Sequence, residues 1–308
     1  MPKNTPAQAY TPAPALASAP TTQGYGLFPN SPLTYYGGKK RLAAEIIRLM
    51  PAHSIYVEPY FGGGAVFFAK QPSYLEVIND INDNLVNFYR ICKTRFNDLY
   101  REINALIYAE SLFIWAKRVY DREIEADELQ RAVAVFIVFN MSTNSNPNAG
   151  WRADNGTGGS HVAIVFRHKV ENFCPWICQR LLTVQISCRD ALKVIKQRDT
   201  KDTFFYLDPP YLNANQGHYS GFFTEDMRQL LDLLTTIKGK FLLSNYQSDI
   251  LSQYLQKENW LLKEITMRKD ISHRYGSSQK TEWLISNYSM PSHLDDLFTH
   301  SNYDSSSD

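Results

Sequence analysis

At 308 residues the chain exceeds the usual size of one compact domain, so an α/β core with an inserted subdomain, or two small domains, is the expected organisation. Its 44% hydrophobic and 20% charged residues are those of an ordinary globular protein, and no apolar run reaches the roughly 18 residues that a membrane span needs. With the lone lysine of residues 1–33 and the four aspartates of residues 291–308 set aside, the net charge of +1 becomes +4 for residues 34–290, a mildly basic balance compatible with a nucleic-acid ligand.

Residues 1 to about 30 are rich in Ala, Pro and Thr and lack the continuous apolar stretch of a secretory signal, which predicts a disordered tail. Leu33-Thr34-Tyr35-Tyr36-Gly37-Gly38-Lys39-Lys40-Arg41 follows. It reads either as a plain surface loop or as a place where a purine-like ring stacks and an anionic group is neutralised. The first predicted strand, Ile55–Glu58, runs through Pro59, Tyr60 and Phe61 into Gly62-Gly63-Gly64 and then an apolar helix start at Ala65. Such a turn lets a ligand approach the backbone closely at a positive helix N-terminus, although the spacing is not that of the dinucleotide fingerprint. The second strand, Leu75–Asn79, ends at Asp80, eighteen residues beyond the first glycine of the turn. At that separation an acid meets ribose hydroxyls in mononucleotide-binding units; capping the helix that begins near Ile81 is the other role open to it.

From about 95 to 140 the pattern is helical throughout, and Asp127 opens a helix with Leu129, Val133, Phe136, Ile137 and Asn140 on one face. Asn140 to Gly159, crowded with Asn, Ser, Gly and Thr, reads as a long irregular binding loop. Asp190 precedes an amphipathic helix from Ala191 to Lys196, which leaves it to cap that helix or to meet an adenine amino group. Further strands are expected at Phe204–Leu207, Phe241–Ser244 and Trp283–Ser286, and their alternation with helix-length segments predicts a mostly parallel sheet with helices on both faces. Lys263 to Lys280 hold five Lys or Arg against two acids, with Arg268, Lys269 and Arg274 as candidates for gripping phosphates. Cys92, Cys174, Cys178 and Cys188 are too scattered for a disulfide framework and have no metal-site spacing, so a reduced cytosol and no metal are expected.

Asp208-Pro209-Pro210-Tyr211, set directly after an apolar strand, carries the most chemistry. The lone pair of an exocyclic amine on a nucleobase is delocalised into the ring, so it attacks poorly until acceptors draw its hydrogens out of plane. Asp208 supplies a carboxylate and Pro209 a carbonyl, while Pro210 restricts the residue before it to an extended conformation. Tyr211 offers a ring face for a base to stack on. The bland alternative is a strand ending in a Pro-Pro turn.

Taken in order, these segments resemble the Dam-like, α-class N6-adenine DNA methyltransferases. Tyr35-Tyr36-Gly37-Gly38-Lys39 is similar to that family's aromatic-Gly-Gly-Lys motif, Glu58-Pro59-Tyr60-Phe61-Gly62-Gly63-Gly64 to its cofactor loop, and Asp80-Ile81-Asn82 to its ribose-binding motif. Cys188-Arg189-Asp190 resembles the segment that holds the adenosine ring, Asp208-Pro209-Pro210-Tyr211 the catalytic tetrad; Ser244-Asn245 and Glu282 to Tyr288 also fit. The resemblance covers roughly residues 31–90 and 183–288. It implies a Rossmann-like methyltransferase fold, S-adenosylmethionine as cofactor, a flipped adenine in double-stranded DNA as target, and a cytoplasmic enzyme of bacterial or phage origin. By carry-over, Tyr35, Lys39, Glu58, Phe61, Gly62, Gly63, Gly64, Asp80 and Asp190 hold the cofactor, and Asp208 bridges cofactor and target. The implied domains are a discontinuous catalytic unit of residues 31–95 and 181–290, an inserted helical target-recognition subdomain of residues 96–180, and tails at 1–30 and 291–308.

In such an insert Asn144, Asn146, Asn148, Trp151 and Arg152 have side chains suited to base edges. It lacks the Arg-Tyr-Asn and Phe-Asn-x-Pro pattern of GATC-reading members, so that recognition sequence is not implied. Three rivals remain open: N4-cytosine methylation, in which Ser more often stands at position 208; a protein or RNA methyltransferase, usually with Asn there; and a non-catalytic DNA-binding descendant. A cognate restriction enzyme is a second partner that the resemblance leaves open.

Overall fold

The computed structural model describes residues 31–35, 38–154, 161–211, 222–268 and 279–291. Among them β1 (Ile55–Glu58), β2 (Leu75–Asn79), β3 (Gln185–Ser187), β4 (Thr203–Leu207), β5 (Lys240–Asn245), β6 (Leu261–Arg268) and β7 (Gln279–Ser286) form one sheet in the order β3-β2-β1-β4-β5-β7-β6. β1 to β5 run parallel, while β7 is antiparallel to both β5 and β6. The five apolar runs expected as strands are all present. Two further strands escaped that reading, β3 because it is only three residues long and β6 because it is a polar edge strand whose alternation carries Lys263 and Glu264. Of the expected disordered tails at 1–30 and 291–308, all but Pro291 lies outside the described residues.

Helices α1 (Ala43–Arg48), α2 (Ala65–Ala69), α3 (Asp83–Thr94), α4 (Phe96–Asn104), α5 (Glu110–Tyr120), α6 (Glu128–Met141), α7 (Val162–Glu171) and α8 (Pro175–Leu181) pack on one side of the sheet. On the other lie α9 (Ala191–Arg198), α10 (Thr224–Leu234) and α11 (Asp249–Lys257). Central strands covered on both faces must be apolar at every position, and all five residues of β4 are buried. Period-2 alternation then splits them: Phe204 and Tyr206 enter the core with α1 to α8, Phe205 and Leu207 the core with α9 to α11.

The inserted helices share the first of these cores. Phe136, Phe166 and Phe173 from the insert belong to the same apolar cluster as Tyr56, Ile78 and Leu242 from the sheet. α6 is its axis: Asp127 caps it in a capping box with Gln130, and every residue from Ala132 to Phe139 is buried. The insert is also anchored by charge. Arg180 at the end of α8 pairs with the buried Glu76 of β2, which also takes Lys70 at 2.6 Å, and the Arg180 guanidinium lies 3.7 Å from the centre of the Phe67 ring.

Candidate active site

Strand order in the sheet reverses between the parallel β1 and β4, the point at which an open α/β sheet leaves a crevice outside its carboxyl ends. The residues singled out for chemistry converge there. β1 delivers Glu58 and the glycine turn, β2 Asp80, β3 the segment Cys188 to Asp190, and β4 Asp208.

Gly62 and Gly64 have φ of +49° and +65°, values that favour glycine. Neighbouring rings require it too: a Cβ on Gly62 would stand 2.8 Å from the Tyr35 ring, and one on Gly64 would stand 2.4 Å from the Phe61 ring. Tyr35 thus lies against the turn, and its other neighbour is Phe139 of α6, stacked at 5.1 Å and 17°. Thr34 donates to Asn140 Oδ1 through its N–H at 3.3 Å and its hydroxyl at 3.0 Å. The insert therefore holds the loop that leads to Lys39. Tyr36 and Gly37 lie outside the described residues.

Asp80 accepts the Gly62 N–H at 2.8 Å and the Asn82 N–H at 2.9 Å, one on each carboxylate oxygen. Burial pushes its carboxyl up to about 6, against these hydrogen bonds. The capping role open to Asp80 falls instead to Asn82, whose side chain accepts the Asn84 N–H. Asp190 caps α9, with its Oδ1 accepting the Lys193 N–H at 3.0 Å. Asn79 was not foreseen. Buried at the end of β2, it donates to the carbonyls of Pro59 and Arg189 and accepts from the Ser187 hydroxyl and the Arg189 N–H, which ties the β1 and β3 loops together. An asparagine closing an apolar strand is the sequence signal for such a hub.

Glu58 is buried and accepts the Tyr56 hydroxyl at 2.7 Å. Burial, only partly countered by that bond, raises its carboxyl from 4.5 to about 8. The folded chain therefore holds a proton there that the unfolded chain has released. The resulting stability is full below about pH 4.5 and is lost as pH rises through about 8. Glu58→Gln, uncharged throughout, is expected to melt close to the native chain at low pH and above it in alkaline buffer, as read by circular dichroism at several pH values.

Lys39 is the pivot of the corner at Asp208. Its Nζ lies 2.9 Å from Asp208 Oδ1, 3.5 Å from Glu282 Oε1 and 4.6 Å from the centre of the Tyr211 ring. Burial pulls the lysine down, but the two carboxylates outweigh it and leave its pKa raised. Asp208 is raised as well, by burial first and by Glu282 in addition, with Lys39 opposing. Side-chain exposure is 21% for Asp208, 7% for Lys39 and 2% for Glu282, so Asp208 is the charge a ligand can reach. Tyr211, expected to present its ring, is buried in all but 8%, its hydroxyl bonds to Glu282, and Tyr246 meets it edge-on at 4.5 Å. Pro209 is buried and Pro210 half-buried beside it.

The binding loop opens directly after α6. Ser142 and Trp151 form an isolated bridge, Arg152 N–H donates to Met141 O at 2.9 Å, and Asn144 turns the chain with a left-handed φ of 56°. Asn144, Asn148 and Arg152 are exposed and Asn146 half-buried. Trp151 packs on Tyr108 at 5.6 Å with its indole nitrogen buried, which anchors the loop. The backbone of Arg268 ends β6, whereas Lys269 and Arg274 lie outside the described residues.

A family model described as D12 class N6 adenine-specific DNA methyltransferase matches residues 35–269. The chain is 27% identical over 274 residues to the type II methyltransferase M1.LlaDCHI of Lactococcus lactis subsp. cremoris, covering 82% of this chain and 93% of that one. It is 22% identical over 267 residues to the DNA adenine methylase of Escherichia coli K12, covering 83% and 94% respectively. With the DNA N-6-adenine-methyltransferase of Escherichia phage P1 it shares 26% identity over 273 residues, which is 80% of this chain but 33% of the longer phage protein.

Proposed function

This chain belongs to the D12 class N6 adenine-specific DNA methyltransferase family, and from that premise we propose that the corner at Asp208 receives the target amine while the glycine turn and Asp80 hold the methyl donor. The enzyme transfers a methyl group from S-adenosylmethionine to the N6 amine of adenine in DNA. When bound, the cofactor supplies a methyl group made electrophilic by its sulfonium.

The residues present fit that cation. Two acids share one lysine at the crevice, and Glu58 stands beside them as an acid that an incoming positive charge would ionise. Asp80 has lone pairs left for a pair of hydroxyls, and the buried Asn245 amide nitrogen at the same sheet edge has no partner among the described residues. Tyr35, Lys39, Phe61, Gly62, Gly63, Gly64 and Asp190 complete the proposed cofactor set.

Asp208 and the Pro209 carbonyl each accept one N–H of the amine, which localises its lone pair. The transfer would leave N6 cationic and bearing two protons, one of which would then leave to solvent through Asp208, the part-exposed acid of the corner. Excess negative charge at the corner stabilises that developing cation. Extruding the adenine from the duplex costs a few kcal/mol, and stacking on Tyr211, worth about 1–3 kcal/mol, offsets much of it. Asn144, Asn146 and Arg152 are proposed to touch base edges, with Trp151 bracing their loop, and Arg268, Lys269 and Arg274 to hold phosphates. Similarity to a type II methyltransferase supports a cognate restriction enzyme as a further partner, and bacterial and phage relatives support a bacterial cytoplasm, where the four free cysteines stay reduced.

The observation that carries this reading is the position of Asp208: directly after the last residue of β4, at the switch point, paired to Lys39 yet open on one side. Mass spectrometry of nucleosides from duplex DNA incubated with the protein and isotope-labelled cofactor is expected to find labelled N6-methyladenine. Label in N4-methylcytosine, or in no base, would sink it.

A further inference from the structure

We propose that Glu282 is a positioning residue for methyl transfer, fixing from β7 both the ring of Tyr211 and the ammonium of Lys39 so that one Asp208 oxygen stays open to the amine. The proposal rests on the reading of Asp208 and Tyr211 as the amine pocket.

One oxygen of Glu282 gathers the whole corner. Oε1 accepts the Ser244 hydroxyl at 2.6 Å and the Tyr211 hydroxyl, and it lies 3.5 Å from Lys39 Nζ. Sheet packing does not call for an acid there. Leu284, two residues on and therefore on the same face, fills that core with an apolar side chain. A carboxylate this deep is tolerated only when hydrogen-bonded and paired, as this one is. Its partners come from three segments: Lys39 ahead of α1, Ser244 of β5, and Tyr211 after β4.

Two consequences follow for the reaction. A phenol held by Glu282 and Ser244, with Lys39 over the ring and Tyr246 at its edge, has one orientation rather than a set of rotamers. A lysine shared between two acids is also held back from Asp208. Without Glu282, Asp208 is the carboxylate among the described residues left to pair with that charge, and it is the very acceptor the amine needs.

Glu282→Ala is expected to lower kcat by about 10²-fold, the scale of a reacting group misplaced by about 1 Å, with cofactor affinity within about twofold of the native chain. Glu282→Gln keeps an acceptor for Tyr211 and Ser244 and should recover part of that loss. It should also move the acidic limb of the kcat profile to lower pH. Asp208 is faced by Lys39, Glu282, Tyr211, Tyr206 and Glu58, and removing one negative charge from that set favours its ionised form. In a Tyr211→Phe background the loss caused by Glu282→Ala should shrink, because the two side chains act through one contact. Folding of each variant is checked by thermal melting, and Glu282→Gln, being isosteric, serves if the alanine variant does not fold. A folded Glu282→Gln with native kcat and an unmoved acidic limb overturns the proposal. If Asp208→Ala retains activity, the amine-pocket reading fails as well; if Asp208→Ala is inactive while both Glu282 variants are fully active, only the role of Glu282 fails.

Discussion

Replacing Asp208 by Ala is expected to slow methyl transfer by at least about 10³-fold, roughly 4 kcal/mol of lost transition-state stabilisation, while the chain stays folded. The carboxylate is the charge of the corner most open to a ligand, and in the proposed pocket it faces the nitrogen on which positive charge develops. The fold has little to lose. Asp208 follows the last residue of β4, and Lys39 would keep Glu282 at 3.5 Å as its partner. Asp208→Asn keeps one acceptor but not the charge and should fall between the two. Single-turnover transfer of labelled methyl to duplex DNA measures all three, and an alanine variant that transfers at the native rate would remove Asp208 from the chemistry.

Asp80→Ala is expected to weaken cofactor binding by about 10- to 100-fold, the loss of a hydrogen bond to a charged group being worth about 1.5–3 kcal/mol. Two effects combine in that figure. The proposed acceptors for the ribose hydroxyls disappear, and so does the partner of the Gly62 N–H, which holds the left-handed start of the glycine turn. A pH dependence separates them. Because burial raises the Asp80 carboxyl to about 6, affinity in the native chain should weaken as pH falls through that value, when the carboxylate is protonated. Asp80→Asn should bind weakly with no such dependence. Calorimetric titration across that range decides, and pH-independent binding by the native chain would take Asp80 out of the site.

How much of this was legible beforehand differs from element to element. β1 and β2 occur with the predicted bounds, Ile55–Glu58 and Leu75–Asn79, because short apolar runs bounded by turn residues leave little freedom in register. β3 and β6 were invisible for opposite reasons, one too short to show a period and the other an edge whose outward positions are polar. Of the two roles open to Asp80, the helix cap went to Asn82 two residues on, while Asp80 accepts the backbone N–H groups of Gly62 and Asn82. Such local competition depends on where the helix begins, and boundaries are the least determined feature of a sequence pattern. Trp151 carries a related lesson: residue type suggested a contact with bases, and the fold places the ring half-buried beside Tyr108 and an apolar cluster, a packing role that residue type alone did not show.

By itself the sequence determined the reaction's vocabulary. The order of the aromatic-Gly-Gly-Lys segment, the glycine turn, Asp80 and the Asp208 tetrad named an amine methyltransferase because each is a local arrangement, readable from adjacent residues. Tertiary structure alone decided which side chains from distant segments complete the site. Glu282 stands 71 residues beyond Tyr211, yet it meets it because β7 runs antiparallel, pairing Trp283 with Asn245 and so bringing its amino-terminal half to the carboxyl edge of β5. Asn140 reaches Thr34 across 106 residues because α6 is buried along its length beside the sheet. Strand direction and helix docking are set by the sum of the two cores, and no short motif records them.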